Sequence, residues 1–456
     1  MTAESKHGKG LYRNTLSYFG GLIMVGAAGM ILFLLLLEFS LKNPSPYLGI
    51  FTYMVFPMVF GAAVVLALYG MRRESLRRRR LGTKEAQPFP KLDLNDRKTR
   101  KWFAYILVGG SLLGILLTFV GYNAFLFTES VTFCGEVCHT VMEPEHRAYL
   151  ASPHARVSCV ECHVGHGADW YVKAKLSGLR QVLAVTFGTY ETPIPVPIKN
   201  LRPARETCEE CHWPEKFYGA QLIQNPHFRY NEANTAEQVS LLVKTGGGSR
   251  RLGENAGIHW HMILDNKVTF KASDKGLQKI PWVRVRDHEG KERIYRDKDS
   301  KISDDELDAF PEHVMDCMDC HNRPTHNFTP PDIAVDKAMA AGLISPTLPW
   351  IKKVAVDALT ASYVDKEAAG RGINDHVTGF YKDRFPKILR DRSKEIIEAV
   401  ASLEAIYDRS VFPAMKVDWK TYASNIGHRN WPGCFRCHDG KHVTESGGVL
   451  SRECTV

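Results

Sequence analysis

Cysteine and histidine recur in one spelling along this chain, Cys-x-x-Cys-His, at residues 159–163, 208–212, 317–321 and 434–438. Two thiols at that spacing can add to the two vinyl groups of a haem, and a histidine directly after the second thiol brings an imidazole to the iron, so the pattern predicts covalently attached haem c. A fifth group, Cys134-Gly-Glu-Val-Cys138-His139, has one extra residue between the cysteines and reads the same way. Five haem c groups are expected. Their anchors are Cys134, Cys138, Cys159, Cys162, Cys208, Cys211, Cys317, Cys320, Cys434 and Cys437, and their first iron ligands are His139, His163, His212, His321 and His438. Structural zinc accounts for this poorly, because tetrahedral sites need paired knuckles and give no reason for a histidine after every second cysteine. Ten of the 11 cysteines are then in use, which leaves Cys454 as an incidental thiol and requires no disulfide.

Six-coordinate iron needs a second axial donor. The chain has 18 histidines; five belong to the motifs and His7 lies on the N-terminal tail. The best-placed candidates are His154 between the first two motifs, His259 and His261 flanking Trp260, His326 shortly after His321, and His428 and His442 bracketing the last motif. His146, His166, His227, His288, His313 and His376 are weaker candidates. At the first motif the expected second ligand is Met142, three residues after His139; a thioether ligand raises the potential, so that haem should differ spectroscopically from the others.

The elements that carry these groups divide into apolar and polar parts. Residues 16–41, 47–70 and 102–127 are mostly apolar and each long enough to cross a hydrocarbon core of about 30 Å as a helix. Glu38 can snorkel from the end of the first span, and Pro57 can kink the second. The first span is too long for a removable signal peptide, lacks a small-residue cleavage site and is read as retained. Residues 72–101 hold twelve Lys or Arg against four Asp or Glu, including Arg77-Arg78-Arg79-Arg80, and account for nearly all of the net charge of +9. Between two spans the positive-inside rule explains this run without nucleic acid. The loop and the N-terminus with Lys6, Lys9 and Arg13 are therefore expected in the cytoplasm of a bacterium, and everything after Phe127 in the periplasm, where haem c is attached.

The expected fold is three transmembrane helices plus a haem-packed, mostly irregular or α periplasmic domain with a small β insertion. Its parts are residues 1–71 (tail and two spans), 72–101 (basic loop), 102–127 (third span), 128–230 (haems 1–3), 231–310 (β-rich insertion) and 311–456 (haems 4–5 with helices). The β reading rests on short alternating runs such as Trp282-Val283-Arg284-Val285-Arg286, punctuated by Thr245-Gly246-Gly247-Gly248 and by the turn-like 264–268. The helical reading of residues 331–407 rests on Ile396-Ile397, Val400 and Leu403-Glu404-Ala405-Ile406. Residues 192–197, with three prolines, read as extended surface chain.

One stretch resembles a known family. An apolar anchor ends just before Phe133-Cys134, followed by Cys138-His139-x-x-Met142, then His154, then Cys159-Val160-Glu161-Cys162-His163. This is similar to the NapC/NirT/NrfH family of membrane-anchored tetrahaem cytochromes over roughly residues 102–215. The resemblance implies electron transfer from a quinol, here menaquinol, at the outer face of the inner membrane to a periplasmic or outer-membrane cytochrome or reductase. It implies a lysine in the quinol pocket near haem 1, a place held here by Lys173 and Lys175 in Trp170-Tyr171-Val172-Lys173-Ala174-Lys175. The family's acidic partner is not in its usual place; Gln181 stands there, so Glu143, Glu145 or Asp169 is expected to accept the proton. Two extra spans, a widened first motif, a methionine shifted by one place, a fifth haem and a β-rich insertion mark an enlarged relative.

Two other functions use similar parts. An electron-relay subunit would leave the quinone site to a partner chain, and the additional spans suit docking to one. A terminal reductase of nitrite, hydroxylamine or a sulfur oxyanion needs an iron with an open position, whereas all five motifs here end in histidine and spare histidines are plentiful.

Overall fold

The structure, a computed structural model, describes residues 10–40, 51–82, 93–137, 139–165, 167–198, 201–213, 217, 219–247, 257–262, 267–287 and 289–453. Lys6, His7, Lys9, Cys138, His166, Gly248, residues 264–266, His288 and Cys454 lie outside the described residues, as do the side chains of Glu38, His139 and Asp169. The chain forms two compact units, Met1–Leu126 with His166–Lys175, and Phe127–Gly165 with Leu176–Val456.

In the first unit, α1 (Thr15–Ser40) and α2 (Phe56–Leu81) are long and apolar enough to cross a membrane. They pack antiparallel through small residues. A methyl group on Gly20 would come within 2.9 Å of the Ala63 carbonyl, and one on Gly70 within 2.7 Å of Ser17 Oγ, which donates to the Ala67 carbonyl at 2.9 Å. Backbones that approach this closely are typical of helix pairs in lipid, where packing rather than apolar burial holds them together. Leu22, Val25, Leu32, Phe33, Met58, Val65 and Leu68 face outward. A third helix, α3 (Arg97–Thr128), has 32 residues, of which Phe119–Thr128 form a shorter apolar stretch among the described residues.

Pro57 stands where a π-helical turn, Phe51–Val55, gives way to α2, so the second span is irregular at its proline. One expectation changes here. Residues 72–81 are not loop but the last turns of α2, which ends at Gly82 with φ +62°. Arginine is a good helix former, and Glu74 accepts hydrogen bonds from Arg77 and Arg78 one turn on, both at 2.8 Å.

The second unit begins with the short helices of the first three motifs. These are α4 (His139–Leu150), α5 (Cys159–His163) and α7 (Ala204–Cys208), with the longer α6 (Ala168–Thr186) starting in the first unit. Strands β1 (Ala220–Phe228) and β2 (Ala236–Lys244) form an antiparallel hairpin, paired from Ala220 with Lys244 to Phe228 with Ala236. A second antiparallel sheet has the order β6-β3-β4-β5-β7, with β3 at Lys267–Lys271, β4 at Trp282–Arg286, β5 at Glu292–Asp297, β6 at Glu312–Val314 and β7 at His442–Val443. Helix α8 (Asp304–Ala309), started by a Ser303/Glu306 capping box, connects β5 to β6. Strand structure thus extends beyond residues 231–310 at both ends. β1 has little alternation and includes Pro226, so its strand character comes from pairing with β2, not from its own pattern. The inner face of the sheet, with Val268, Phe270, Ile280 and Val283, also buries Cys437 of the last motif.

After α9 (Cys317–Cys320), helices α10 (Pro331–Ala340), α11 (Ile351–Thr360), α12 (Lys366–Arg384), α13 (Pro386–Asp391) and α14 (Ser393–Ser410) enclose an apolar core of their own. Its residues follow helical spacing: Ile351, Val354, Ala355, Ala358 and Leu359; Ala369, Ile373, Val377 and Tyr381; Ile396, Ala399, Val400 and Leu403. Ile397, next to Ile396, faces outward as the period requires. This part of the fold is a helical subdomain, more regular than a mostly irregular haem-packed domain. The β1/β2 turn is tied to it by Asn234, which donates to the Leu348 carbonyl at 2.7 Å and accepts from Lys352 N at 3.0 Å. Residues 192–197 run over the surface, exposed or half-buried, and are pinned there where Ile194 packs beside Phe412 and Tyr422 and the Tyr422 hydroxyl donates to the Ile194 carbonyl at 2.9 Å.

Candidate haem sites

The attachment motifs from Cys159 onward are each built on a short turn that holds their cysteines and histidine. Cys159–His163 is a single helical turn. Cys317–Cys320 is another, started by a capping box in which Asp316 accepts from Met318 N and Asp319 accepts from Asp316 N, both at 2.7 Å. The last motif starts from Gly433, at φ +53°, where any Cβ would collide with the Gly427 carbonyl. Only glycine lets the chain enter that motif.

Four motif imidazoles each face one non-motif imidazole. Ring centres are 6.2 Å apart for His163 and His326, 6.0 Å for His212 and His154, 6.3 Å for His321 and His259, and 6.0 Å for His438 and His261. Two imidazoles bound to opposite sides of one iron, with bonds of about 2 Å and ring centres roughly 1.2 Å behind the nitrogens, stand about 6.4 Å apart. The residues present therefore fit a haem iron at each of these four places. Burial pushes His163 down to about 4 and also lowers His261, His321 and His326, which favours the neutral imidazole that binds metal.

The other ring nitrogens are held differently. His259 Nδ1 is 2.6 Å from the Thr245 carbonyl, His261 Nδ1 is 3.2 Å from the Ile258 carbonyl and His438 Nδ1 is 2.8 Å from the Ser451 carbonyl. His154 Nδ1 is buried without a partner. His326 Nδ1 lies 3.0 Å from the Glu145 carbonyl and 3.2 Å from its carboxylate.

The motifs also adjoin one another in chain order. Cys134 lies beside Cys159, Cys162 beside Cys211, Cys208 beside Cys317 and Cys320 beside Cys434.

Not every expected ligand is paired in this way. His442 is buried in the sheet with Nδ1 3.0 Å from Asp439 and Nε2 2.7 Å from the Ile280 carbonyl, so both nitrogens are already engaged. His428 is exposed against Phe435. At the first motif, Met142 is half-buried on α4, and His146 lies against the motif itself, its ring within 2.5 Å of where a Gly135 Cβ would be. Met142 and His146, the latter one of the weaker candidates, are four residues apart on one face of α4, a spacing that favours His146 over its place among those candidates.

Lys173 Nζ lies 4.4 Å from the centre of the Trp170 ring, and Lys175 Nζ 5.1 Å from that of Tyr171, which itself packs 6.4 Å from Phe125 of α3. Of the acidic candidates, Glu143 is 2.6 Å from Lys366 and Glu145 is held by Arg323 at 3.2 Å. Gln181 contacts Ser177 at 3.4 Å.

Cysteine pairs followed by histidine, on a chain with membrane-length apolar helices, define a membrane-anchored c-type cytochrome. The model of the NapC/NirT cytochrome c family, N-terminal region, matches residues 96–197. The chain is 43% identical over 443 residues to the cytochrome c-type protein ImcH of Geobacter sulfurreducens, an alignment covering 97% of this chain and 87% of that protein. It is 28% identical over 123 residues to the cytochrome c nitrite reductase subunit NrfH of Nitratidesulfovibrio vulgaris, covering 26% of this chain and 76% of that protein. No solved structure matches. The chain belongs to the NapC/NirT/NrfH family of membrane-anchored multihaem cytochromes c.

Proposed function

We propose that this cytochrome carries five haem c groups and oxidises menaquinol at the inner membrane, passing electrons to a periplasmic or outer-membrane cytochrome or reductase. The observation that carries this reading is the order of the motifs: cysteines of neighbouring motifs lie side by side from the first motif to the fifth, as a relay of haems requires. Haem c, when bound, supplies one-electron transfer at its iron. The chain's own residues hold it, with His163 and His326, His212 and His154, His321 and His259, and His438 and His261 as axial pairs, and Met142 opposite His139. Four pairs of imidazoles at one common spacing favour saturated irons over an open reductase site.

In this reading α3 is the third crossing. The N-terminus and the basic residues 72–101 lie in the cytoplasm, and the haem-bearing unit in the periplasm. Lys173 and Lys175 bind the quinol: an ammonium Nζ donates a hydrogen bond to a ring oxygen, and its charge favours loss of the hydroxyl proton. Trp170 and Tyr171 offer aromatic faces beside those ammonium groups. Because Glu143 and Glu145 are held by Lys366 and Arg323, Asp169 is favoured as the proton acceptor.

The test is anaerobic addition of a menaquinol analogue to the detergent-purified protein, read at the ferrous haem absorbance band against dithionite. Quinol should reduce the wild type, and Lys173→Ala or Lys175→Ala should slow that step while leaving reduction by dithionite intact. Reduction by dithionite alone would overturn the quinol site and favour a relay subunit.

A further inference from the structure

We propose that Glu145 sets the potential of one particular haem, the one attached at Cys159 and Cys162, through the ring of His326. This rests on the proposed pairing of His163 with His326. With Nε2 on the iron, Nδ1 of His326 carries the proton and donates it to the Glu145 carbonyl at 3.0 Å, while the carboxylate of the same residue stands 3.2 Å from that nitrogen. A carboxylate on the outer nitrogen draws that proton, makes the imidazole a stronger donor and stabilises ferric over ferrous iron. Among the described residues, His326 is the one of the four partner imidazoles that faces a carboxylate. His259 and His261 face backbone carbonyls, and His154 Nδ1 has no partner. The same chemistry thus comes in graded strengths along one chain, strongest at the second motif.

Glu145 is well fixed for this role. It lies on α4, the helix that opens with the first motif's histidine, so it reaches the second haem from the element that holds the first. Its carboxylate receives Arg323 Nη2 at 3.2 Å. Arg323 in turn is largely buried, with its guanidinium 4.3 Å from the Tyr422 ring centre and 5.2 Å from that of Phe328. Arg323 Nε also donates to the His326 carbonyl at 2.6 Å, so one arginine fixes both the carboxylate and the ring's backbone. It also balances the carboxylate charge, so the two residues act on the ring with opposite sign. Glu145 is a positioning residue for the electronics of His326 and touches no substrate.

The experiment is a potentiometric titration of the full-length holoprotein, followed by EPR of each ferric haem, with three variants. Glu145→Gln keeps an acceptor for Arg323 and removes the charge; it should raise the midpoint of one haem and leave the other four in place. Arg323→Gln removes the counter-charge and should lower the midpoint of that same haem, which keeps the test open if the first variant loses haem. His326→Ala should convert that haem, and no other, to a high-spin signal. If His326→Ala leaves every haem low-spin, the pairing itself fails. If it converts one haem but Glu145→Gln and Arg323→Gln leave its potential unmoved, or move it in the same direction, the proposed role of Glu145 is wrong.

Discussion

Replacing His154 with alanine discriminates between proximity along the chain and proximity in space. His154 lies five residues before Cys159, so sequence adjacency assigns it to the haem of that motif. In the fold its ring is 6.0 Å from His212, which belongs to the motif of Cys208 and Cys211. On the proposed five haems, His154→Ala removes one of two axial nitrogens from one iron and leaves the other four untouched, so about a fifth of the haem should change from low to high spin. Its Nδ1 has no hydrogen-bond partner, so no other protein group is left unsatisfied by the change and the fold should be kept. The assay is EPR of the oxidised protein together with carbon monoxide titration of the reduced protein, with one equivalent bound per chain. His154→Ala combined with His326→Ala should bind two equivalents, because the rings belong to different irons. A fully low-spin His154→Ala protein refutes the reasoning, as does a single equivalent in the double variant.

Two further outcomes concern stability. Asp336 and Lys352 are both almost fully buried and joined at 2.7 Å, with Asp336 also accepting from Phe228 N at 3.0 Å; Asp336→Ala leaves the buried ammonium without its carboxylate partner, with the Asp332 carbonyl still accepting from it, and should cost about 3 kcal/mol by urea denaturation. A loss below about 1 kcal/mol would show that the pair is dispensable. Glu395 is held down to about 2, first by its hydrogen bond from Arg392 (Nε to Oε1, 2.7 Å) and then by Ser345, against an ordinary 4.5. Its folded value is the lower one, so its contribution is present above about pH 4.5 and is lost as pH falls towards 2. Because the pair is partly exposed the effect should stay below about 1 kcal/mol, and Glu395→Gln should remove it at pH 6 but change little near pH 2. Equal losses at both pH values would contradict this assignment.

The attachment chemistry was legible in the sequence because it is local. Two thiols and an imidazole within five residues need only one turn of chain, and membrane-length apolar runs need only their own composition. The helical period around Ile396 and Leu403 and the alternation at 282–286 were legible for the same reason. The hairpin strand β1 was not, because a polar, proline-containing segment becomes a strand only when a partner supplies its hydrogen bonds. The arginine run was taken for loop because charge density says which side of a membrane it favours, not whether the helix continues through it.

The pairing of imidazoles belongs to the tertiary structure alone. His326 lies five residues after His321 yet faces His163, and His154 passes over the nearest motif to face His212. His259 and His261 are two residues apart on a 3₁₀ turn, where side chains two apart project in directions about 120° from each other, and they face His321 and His438 respectively. An axial bond asks only that one nitrogen reach one point, whatever the length of chain between. The sequence by itself therefore determined where the attachment motifs stand, and only the packing of separate elements decided which imidazole stands opposite which.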